Sequence, residues 1–203
     1  MLYPNVCKAT YKLLKNQGLQ IEYPLNQTCC GQPMANSGCS KDVKKLAIEF
    51  VKTFKEFDYI VAPSGSCVSM VKEHYAEFFD NDKDYNKVKA SIYEVCEFFH
   101  DIIKIENINF NVSFPFKVGV HNSCHGHRVL KLATASELNI PYDSKLKNLL
   151  NTISDIELVT LKREDECCGF GGTFSVQEEA ISVAMGKDRI KDHIDSSAQI
   201  LTG

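Results

Sequence analysis

The triplet Cys29-Cys30-Gly31 occurs a second time in this sequence, as Cys167-Cys168-Gly169. Each triplet follows a predicted strand and a polar stretch, and each precedes a turn rich in small residues and an amphipathic helix. The second cysteine of each triplet lies 35 residues before another glycine, which is Gly65 in the first copy and Gly203 in the second. Two copies that agree in order and spacing indicate an internal duplication and a protein of two lobes.

The predicted elements around both triplets alternate between helices and short apolar strands. This order predicts parallel strands joined by crossover helices, so the expected fold is α/β, with two similar strand–helix lobes and mostly parallel strands. We place the first repeat at residues 1–107 and the second at 108–203. The predicted elements are helix 5–16, strand 19–23, helix 42–57, strand 59–62, helices 66–79 and 87–104, strand 117–121, helical segments over 124–150, strand 156–161, helix 175–194 and strand 199–201.

Composition excludes several classes of protein. The chain has 203 residues, of which 44% are hydrophobic and 24% charged, so a packed core is expected rather than disorder. A net charge of −3 does not favour nucleic acid or an anionic membrane as a partner. The N-terminal residues lack the apolar core of a signal peptide, and no apolar run is long enough to span a bilayer. We therefore expect a cytoplasmic protein without a transmembrane segment.

Nine cysteines are the unusual feature of this composition. Cytosolic thiols stay reduced, so this many cysteines indicate metal or redox chemistry rather than a disulfide framework. Cys67 and Cys124 each lie where a predicted strand turns into a helix, and the free N–H groups of a first helical turn favour the thiolate. In an α/β sheet the loops at the strand ends lie together, so cysteines that are distant in sequence can meet there. With one such set in each repeat, two sites are predicted. The first comprises Cys29, Cys30 and Cys67, and the second Cys124, Cys167 and Cys168; the alternative is six buried structural thiols.

The adjacent cysteines favour one kind of metal. Structural zinc sites use cysteines two to four residues apart, and the sequence contains no Cys-x-x-Cys. Neighbouring cysteines diverge and suit two metals of one cluster, or two clusters, so thiolate ligation of iron–sulfur clusters is favoured over zinc. The glycines of 169–172 are interpreted as allowing the backbone to approach a cluster, rather than as a dinucleotide-binding turn.

The remaining cysteines are assigned no ligand role. Cys96 is expected in the core of its helix and Cys7 as a structural thiol, while Cys39, nine residues after Cys30, is ambiguous and left out.

Polar residues beside Cys124 leave two interpretations open. His125 and His127 either donate to a thiolate or sulfide or form a satisfied polar pair at a helix start. For Arg128, a surface role is favoured over balancing the charge of a cluster. No residue is assigned a catalytic role.

Five motifs around the cysteines are specific: Cys29-Cys30-Gly31-Gln32-Pro33, Asn36-Ser37-Gly38, Pro63-Ser64-Gly65-Ser66-Cys67, Ser123-Cys124-His125 and the run from Cys167 to Ser175. Taken together, they resemble the motifs of the cysteine-rich CCG-domain proteins, and most closely those of the lactate utilization protein A family of iron–sulfur oxidoreductases. The same domain occurs in heterodisulfide reductase and in the iron–sulfur subunits of glycolate oxidase. The resemblance implies a 4Fe-4S electron-transfer subunit that acts with two partner proteins in the oxidation of L-lactate to pyruvate. It also implies the same six cysteines as ligands.

Two departures from the family pattern bear on the cofactor. The family has a further strand and cysteine ahead of the position of Met1, and a cysteine motif just after that of Gly203. Each set therefore holds three of its expected cysteines, and we expect a shortened chain that retains its clusters poorly. Two other functions stay open: a thiol/disulfide oxidoreductase of the heterodisulfide reductase type, and a zinc-stabilised binding module.

Overall fold

A computed structural model describes residues 4–108 and 110–203. The chain divides into two compact units, one reaching to Val95 and the other running from Cys96 to Gly203. The sequence places the boundary between the two repeats twelve residues later, at 107/108. Within the described ranges, no helix combines the length and the apolar character that crossing a bilayer requires.

The first unit has a two-stranded parallel sheet and several helices. Strand β1 pairs with β2 in the register Ile60↔Ile92. Two helical stretches, a π-helical turn over Met70–His74 and a 3-10 turn over Tyr75–Phe78, continue the helix that follows β1. The regular elements are α1 (Pro4–Asn16), α2 (Gln32–Asn36), α3 (Ser40–Phe54), β1 (Ile60–Ala62), α4 (Gly65–Ser69), α5 (Lys83–Ser91) and β2 (Ile92–Glu94).

Helix α3 supplies much of the core of the first unit. Its buried side chains are spaced four, four and three residues apart, which places them on one helical face. The side chains of Val68, Met70, Val71 and Tyr75 are also fully buried, so the helical stretch that begins with α4 lies inside this core. The buried residues of α3 are Val43, Ala47, Val51 and Phe54.

The second unit is built on a three-stranded sheet in the order β4-β3-β5, in which both pairings are parallel. Val118 and Val120 of the central strand share one face of that sheet, and both are buried. Helix α6 joins the two units in sequence. The regular elements are α6 (Val95–Glu97), β3 (Lys117–Val120), α7 (Lys145–Leu150), β4 (Glu157–Leu158), α8 (Phe174–Gln177), α9 (Glu179–Asp195) and β5 (Ile200–Thr202), with π-helical turns at Phe98–Lys104 and His125–Val129 and 3-10 turns at Ile105–Asn107 and Ser136–Leu138.

The α/β class and the parallel strands are confirmed, and two element predictions are wrong. Residues 19–23 form no strand: they are half-buried or exposed and have no strand partner among the described residues. The helix predicted over 87–104 is interrupted by β2, because Ile92 and Tyr93 pair with β1 and that tertiary pairing overrides a helical apolar pattern. The strand predicted over 156–161 is reduced to β4, and the helical material over 124–150 to α7 and short turns.

Gly119 in β3 is expected to tolerate no side chain. A Cβ there would clash with Nδ1 of His193, which α9 places in the core, and would lie 3.1 Å from Cβ of Ala198. Gly119→Ala should lower the free energy of unfolding by about 2 kcal/mol through overpacking. Chemical denaturation of the metal-free protein measures this. Gly186→Ala on α9 is the control, because its new Cβ would meet only the Cys168 carbonyl, at 3.4 Å. Equal midpoints for both variants would contradict the packing argument.

Candidate metal centres

Cys30 and Cys67 form a thiol pair in the first unit. Ser64, the N-cap of α4, accepts a hydrogen bond from the Cys67 backbone N–H at 3.5 Å, which places Cys67 in the first helical turn. Cys30 is 6% exposed, and its thiol lies close enough to that of Cys67 for each to shift the pKa of the other. The hydrogen bond from Cys30 lowers the pKa of Cys67, and bonds from Ser64 and Ser66 add to this against the effect of burial. The same bond, together with burial, raises the pKa of Cys30.

A second thiol pair lies in the second unit. Sγ of Cys124, just beyond the end of β3, lies 3.6 Å from Sγ of Cys167. Burial raises the pKa of Cys124 to about 11, and the hydrogen bond to Cys167 adds to that rise. Cys168 lies near enough for its charge to raise the same pKa further. All three thiols are half-buried, so each can reach a bound group while remaining sheltered from solvent.

Both triplets fold into the same turn. Gly31 has a φ of 86° and Gly169 a φ of 79°, a left-handed conformation that glycine adopts without strain. In each turn the glycine N–H donates to the sulfur two residues earlier, at 3.4 Å for Cys29 and 3.3 Å for Cys167. The repeated sequence therefore repeats a local geometry that directs a backbone N–H at the first sulfur of each triplet.

The structure brings the predicted ligands together as pairs. Cys30 pairs with Cys67 and Cys124 pairs with Cys167, whereas Cys29 and Cys168 lie near those pairs. Within residues 4–108 and 110–203, no group of three cysteine, histidine or carboxylate side chains converges closely enough to hold a metal ion. The predicted metal ligands in each unit are nevertheless all sulfur atoms, and one sulfur in each unit accepts a hydrogen bond from a backbone N–H group. These donors fit a soft metal or an iron–sulfur cluster.

The polar residues after Cys124 have different surroundings. His127 is 2% exposed, and neither of its ring nitrogens bonds to a described residue. Arg128 is engaged at the surface, 2.7 Å from Glu137 and 3.3 Å from Asp165. Its charge still lowers the pKa of Cys124 slightly.

The three cysteines outside both sets differ in exposure. Cys39 is exposed as the N-cap residue of α3. Cys7 and Cys96 are half-buried, so Cys96 is less enclosed than its position on an apolar helical stripe predicts.

Tyr75 is a site residue that the sequence analysis missed. Its hydroxyl donates to the Cys30 carbonyl at 2.9 Å, and its side chain is fully buried. The tyrosine follows Cys67 by eight residues, close to two helical turns, so the two share a face of one continuous helical stretch. The eight-residue spacing between Cys67 and Tyr75 is the sequence signal that could have identified this tyrosine as a site residue. The bond fixes the backbone of the first triplet against the stretch that carries Cys67.

Cys67 in the metal-free protein is expected to react as a thiolate near neutral pH. Its pKa is lowered to about 6, so the thiolate is present above that pH and protonates below it. The alkylation rate of Cys67 against pH, followed by mass spectrometry of its peptide, gives the midpoint. Cys30→Ala removes the main hydrogen-bond donor and should move the midpoint up toward the ordinary value of about 8.5. A midpoint at that ordinary value before the substitution would contradict the assignment.

Comparisons with known proteins agree with the geometry. The family described as CCG, cysteine-rich domain, matches residues 1–72 and 118–203. Lactate utilization protein A of Geobacillus thermodenitrificans is 37% identical over 207 residues, covering 100% of this chain and 81% of that protein. Lactate utilization protein A of Shouchella clausii is 38% identical over 208 residues, with the same coverage. With both triplets inside the matched segments, the chain belongs to the lactate utilization protein A family of cysteine-rich CCG-domain proteins.

Proposed function

We propose that this chain is the iron–sulfur electron-transfer subunit of a cytoplasmic complex that oxidises L-lactate to pyruvate. The observation that carries the proposal is the pair of all-sulfur donor sets, built on the same turn in each unit. We infer the substrate from relatives that match the whole chain and are named for lactate utilization. The resemblance to the family implies partner subunits, and these would take the hydrogens from lactate.

Oxidation of lactate to pyruvate releases two electrons and two protons. A bound 4Fe-4S cluster supplies reversible one-electron storage, with thiolates as its ligands. In each unit the chain's own residues would hold one such cluster: Cys29, Cys30 and Cys67 in the first unit, and Cys124, Cys167 and Cys168 in the second. The N–H groups of Gly31 and Gly169 point at the sulfur atoms of Cys29 and Cys167 and would tune the reduction potential of a cluster bound there.

Anaerobic purification followed by iron, sulfide and zinc analysis tests the cofactor. The expected protein is brown, with broad visible absorption and equal iron and sulfide. Co-purified partner proteins and L-lactate should then bleach that absorption, and D-lactate serves as the matched control. A colourless protein with stoichiometric zinc would instead favour a zinc-stabilised binding module. If iron and sulfide are present but lactate does not bleach the absorption, the cluster assignment stands and lactate is rejected as the substrate.

A thiol/disulfide oxidoreductase is the second candidate, favoured by the sulfur–sulfur contact of Cys124 and Cys167 at 3.6 Å. Two thiols at this separation can close to a disulfide with a small movement. This function predicts turnover of a disulfide substrate by the isolated chain and loss of that turnover on alkylation. The electron-transfer role predicts neither.

A further inference from the structure

The contact between Cys124 and Cys167 joins two loops that lie 43 residues apart in sequence. Cys124 follows β3, whose pairing with β4 covers only the first two residues of β3 and the two residues of β4. Cys167 lies nine residues beyond the end of β4, in a segment without regular structure. Strand pairing therefore does not set the distance between the two sulfur atoms, and another element must hold the loops together.

Helix α9 carries a buried ion pair at this place. Arg189 is 2% exposed and Asp192 is 5% exposed, with Nη1 of the arginine 3.2 Å from Oδ2 of the aspartate. Removing two charges from water costs more than their attraction returns unless further hydrogen bonds satisfy both groups. The partners of this pair therefore indicate what it does.

Both members of the pair bind the backbone of the segment that leads to Cys167. The carboxylate of Asp192 accepts hydrogen bonds from the N–H groups of Lys162 and Arg163, each at 3.2 Å. The guanidinium of Arg189 donates to the Arg163 carbonyl and, at 3.3 Å, to the Glu164 carbonyl. Both the N–H groups and the carbonyl groups of residues 162–164 are therefore bound by this ion pair, three to five residues before Cys167.

The same guanidinium also binds the strand end that leads to Cys124. Nε of Arg189 donates to Nδ1 of His121 at 3.1 Å. His121 directly follows β3, and its own N–H donates to the Thr202 carbonyl of β5 at 2.7 Å. Burial, together with the charge of Arg189, lowers the pKa of His121 to about 4, so the ring is neutral at pH 7 and can accept this bond. Cys124 comes three residues later.

We propose that Arg189, fixed by Asp192, is a positioning residue that aligns the Cys124 and Cys167 loops. Its planar guanidinium donates in several directions at once, so one side chain can bind His121 on one loop and two carbonyls on the other. A lysine at this position keeps the charge but offers a single ammonium, which cannot reach all of these acceptors. The alignment belongs to the chain itself and does not depend on which group the thiols bind.

Disulfide trapping in the reduced, metal-free full chain tests the proposal. Mild oxidation with diamide followed by peptide mapping gives the yield of the Cys124–Cys167 disulfide. The Cys30–Cys67 disulfide of the same molecules is the internal reference. Arg189→Lys should lower the yield of the Cys124–Cys167 disulfide roughly fivefold relative to that of the Cys30–Cys67 disulfide, because the guanidinium that joins the two loops is lost. Lys191→Met, an exposed substitution on the same helix, is the matched control and should leave the ratio unchanged.

A double variant separates positioning from stability. Arg189→Met with Asp192→Leu removes both charges and leaves an apolar contact, an exchange that is often neutral or stabilising for a buried pair. We expect it to fold, as judged by circular dichroism and its unfolding midpoint, yet to lose the Cys124–Cys167 disulfide. If it folds and keeps the wild-type disulfide ratio, the proposal is overturned. If it does not fold, Arg189→Lys decides: a wild-type ratio rejects the positioning role, and a reduced ratio upholds it.

Discussion

Replacing Cys167 with serine is expected to remove about half of the iron bound by the anaerobically purified protein, since a hydroxyl is a poor ligand for a soft metal. Sγ of Cys167 contacts Sγ of Cys124 at 3.6 Å and accepts a hydrogen bond from the N–H group of Gly169 at 3.3 Å. The first set remains intact, so the iron it holds should remain. Iron and sulfide per chain, with the visible absorption, give the result.

Two controls make that loss specific. Cys39→Ser changes an exposed cysteine whose sulfur is 3.9 Å from the Ser37 carbonyl and outside both thiol sets, so its iron content should match the wild type. Cys30→Ser in the first unit should cost as much iron as Cys167→Ser, because the two cysteines hold comparable places in the two pairs. Equal iron in the Cys39 and Cys167 variants would remove the ligand assignment.

The positions of Cys67 and Cys124 follow from features that are visible in the sequence. Each cysteine comes directly after a short apolar strand, and parallel strand ends bring their loops toward one edge of a sheet. The turn shared by the two triplets also follows from the sequence, because a glycine after two cysteines adopts the same left-handed conformation in both copies. What remained hidden was the selection within each triplet: Cys30 meets Cys67, but Cys167, not Cys168, meets Cys124. Which of two adjacent thiols faces a distant loop depends on tertiary packing.

Arg189 could not have been found from the local pattern. It lies in a run that includes Lys187, Asp188, Lys191 and Asp192, and such a run is typical of a solvated helical face. The fold instead buries Arg189 and Asp192, because the segment before Cys167 lacks regular structure and its backbone groups need partners. Similarly, residues 19–23 carry the apolar spacing of a strand but find no strand to pair with in the described structure. In both cases partners distant in sequence decide the outcome.

The two triplet glycines are expected to differ sharply when each is replaced by alanine. Both have positive φ, so each substitution costs about 1 to 2 kcal/mol in backbone strain. At Gly31 the new Cβ would meet only Leu46 and Val43 at an ordinary 3.5 Å. At Gly169 it would lie 2.7 Å from the Ser182 carbonyl oxygen and 2.8 Å from Cβ of Met185, atoms of α9 that cannot swing aside.

Gly169→Ala must therefore move the triplet away from α9, at a total cost of about 3 kcal/mol or more once overpacking is added to strain. The movement also breaks the 3.0 Å hydrogen bond from the Ser182 hydroxyl to the Gly169 carbonyl and displaces Cys167 from Cys124. Denaturation midpoints and iron content of the matched pair measure both effects. Gly31→Ala should lower stability modestly and keep its iron, whereas Gly169→Ala should lose stability and the iron of the second set together. Equal losses in the two variants would mean that strain in the turn, and not the close approach of α9, fixes the second triplet.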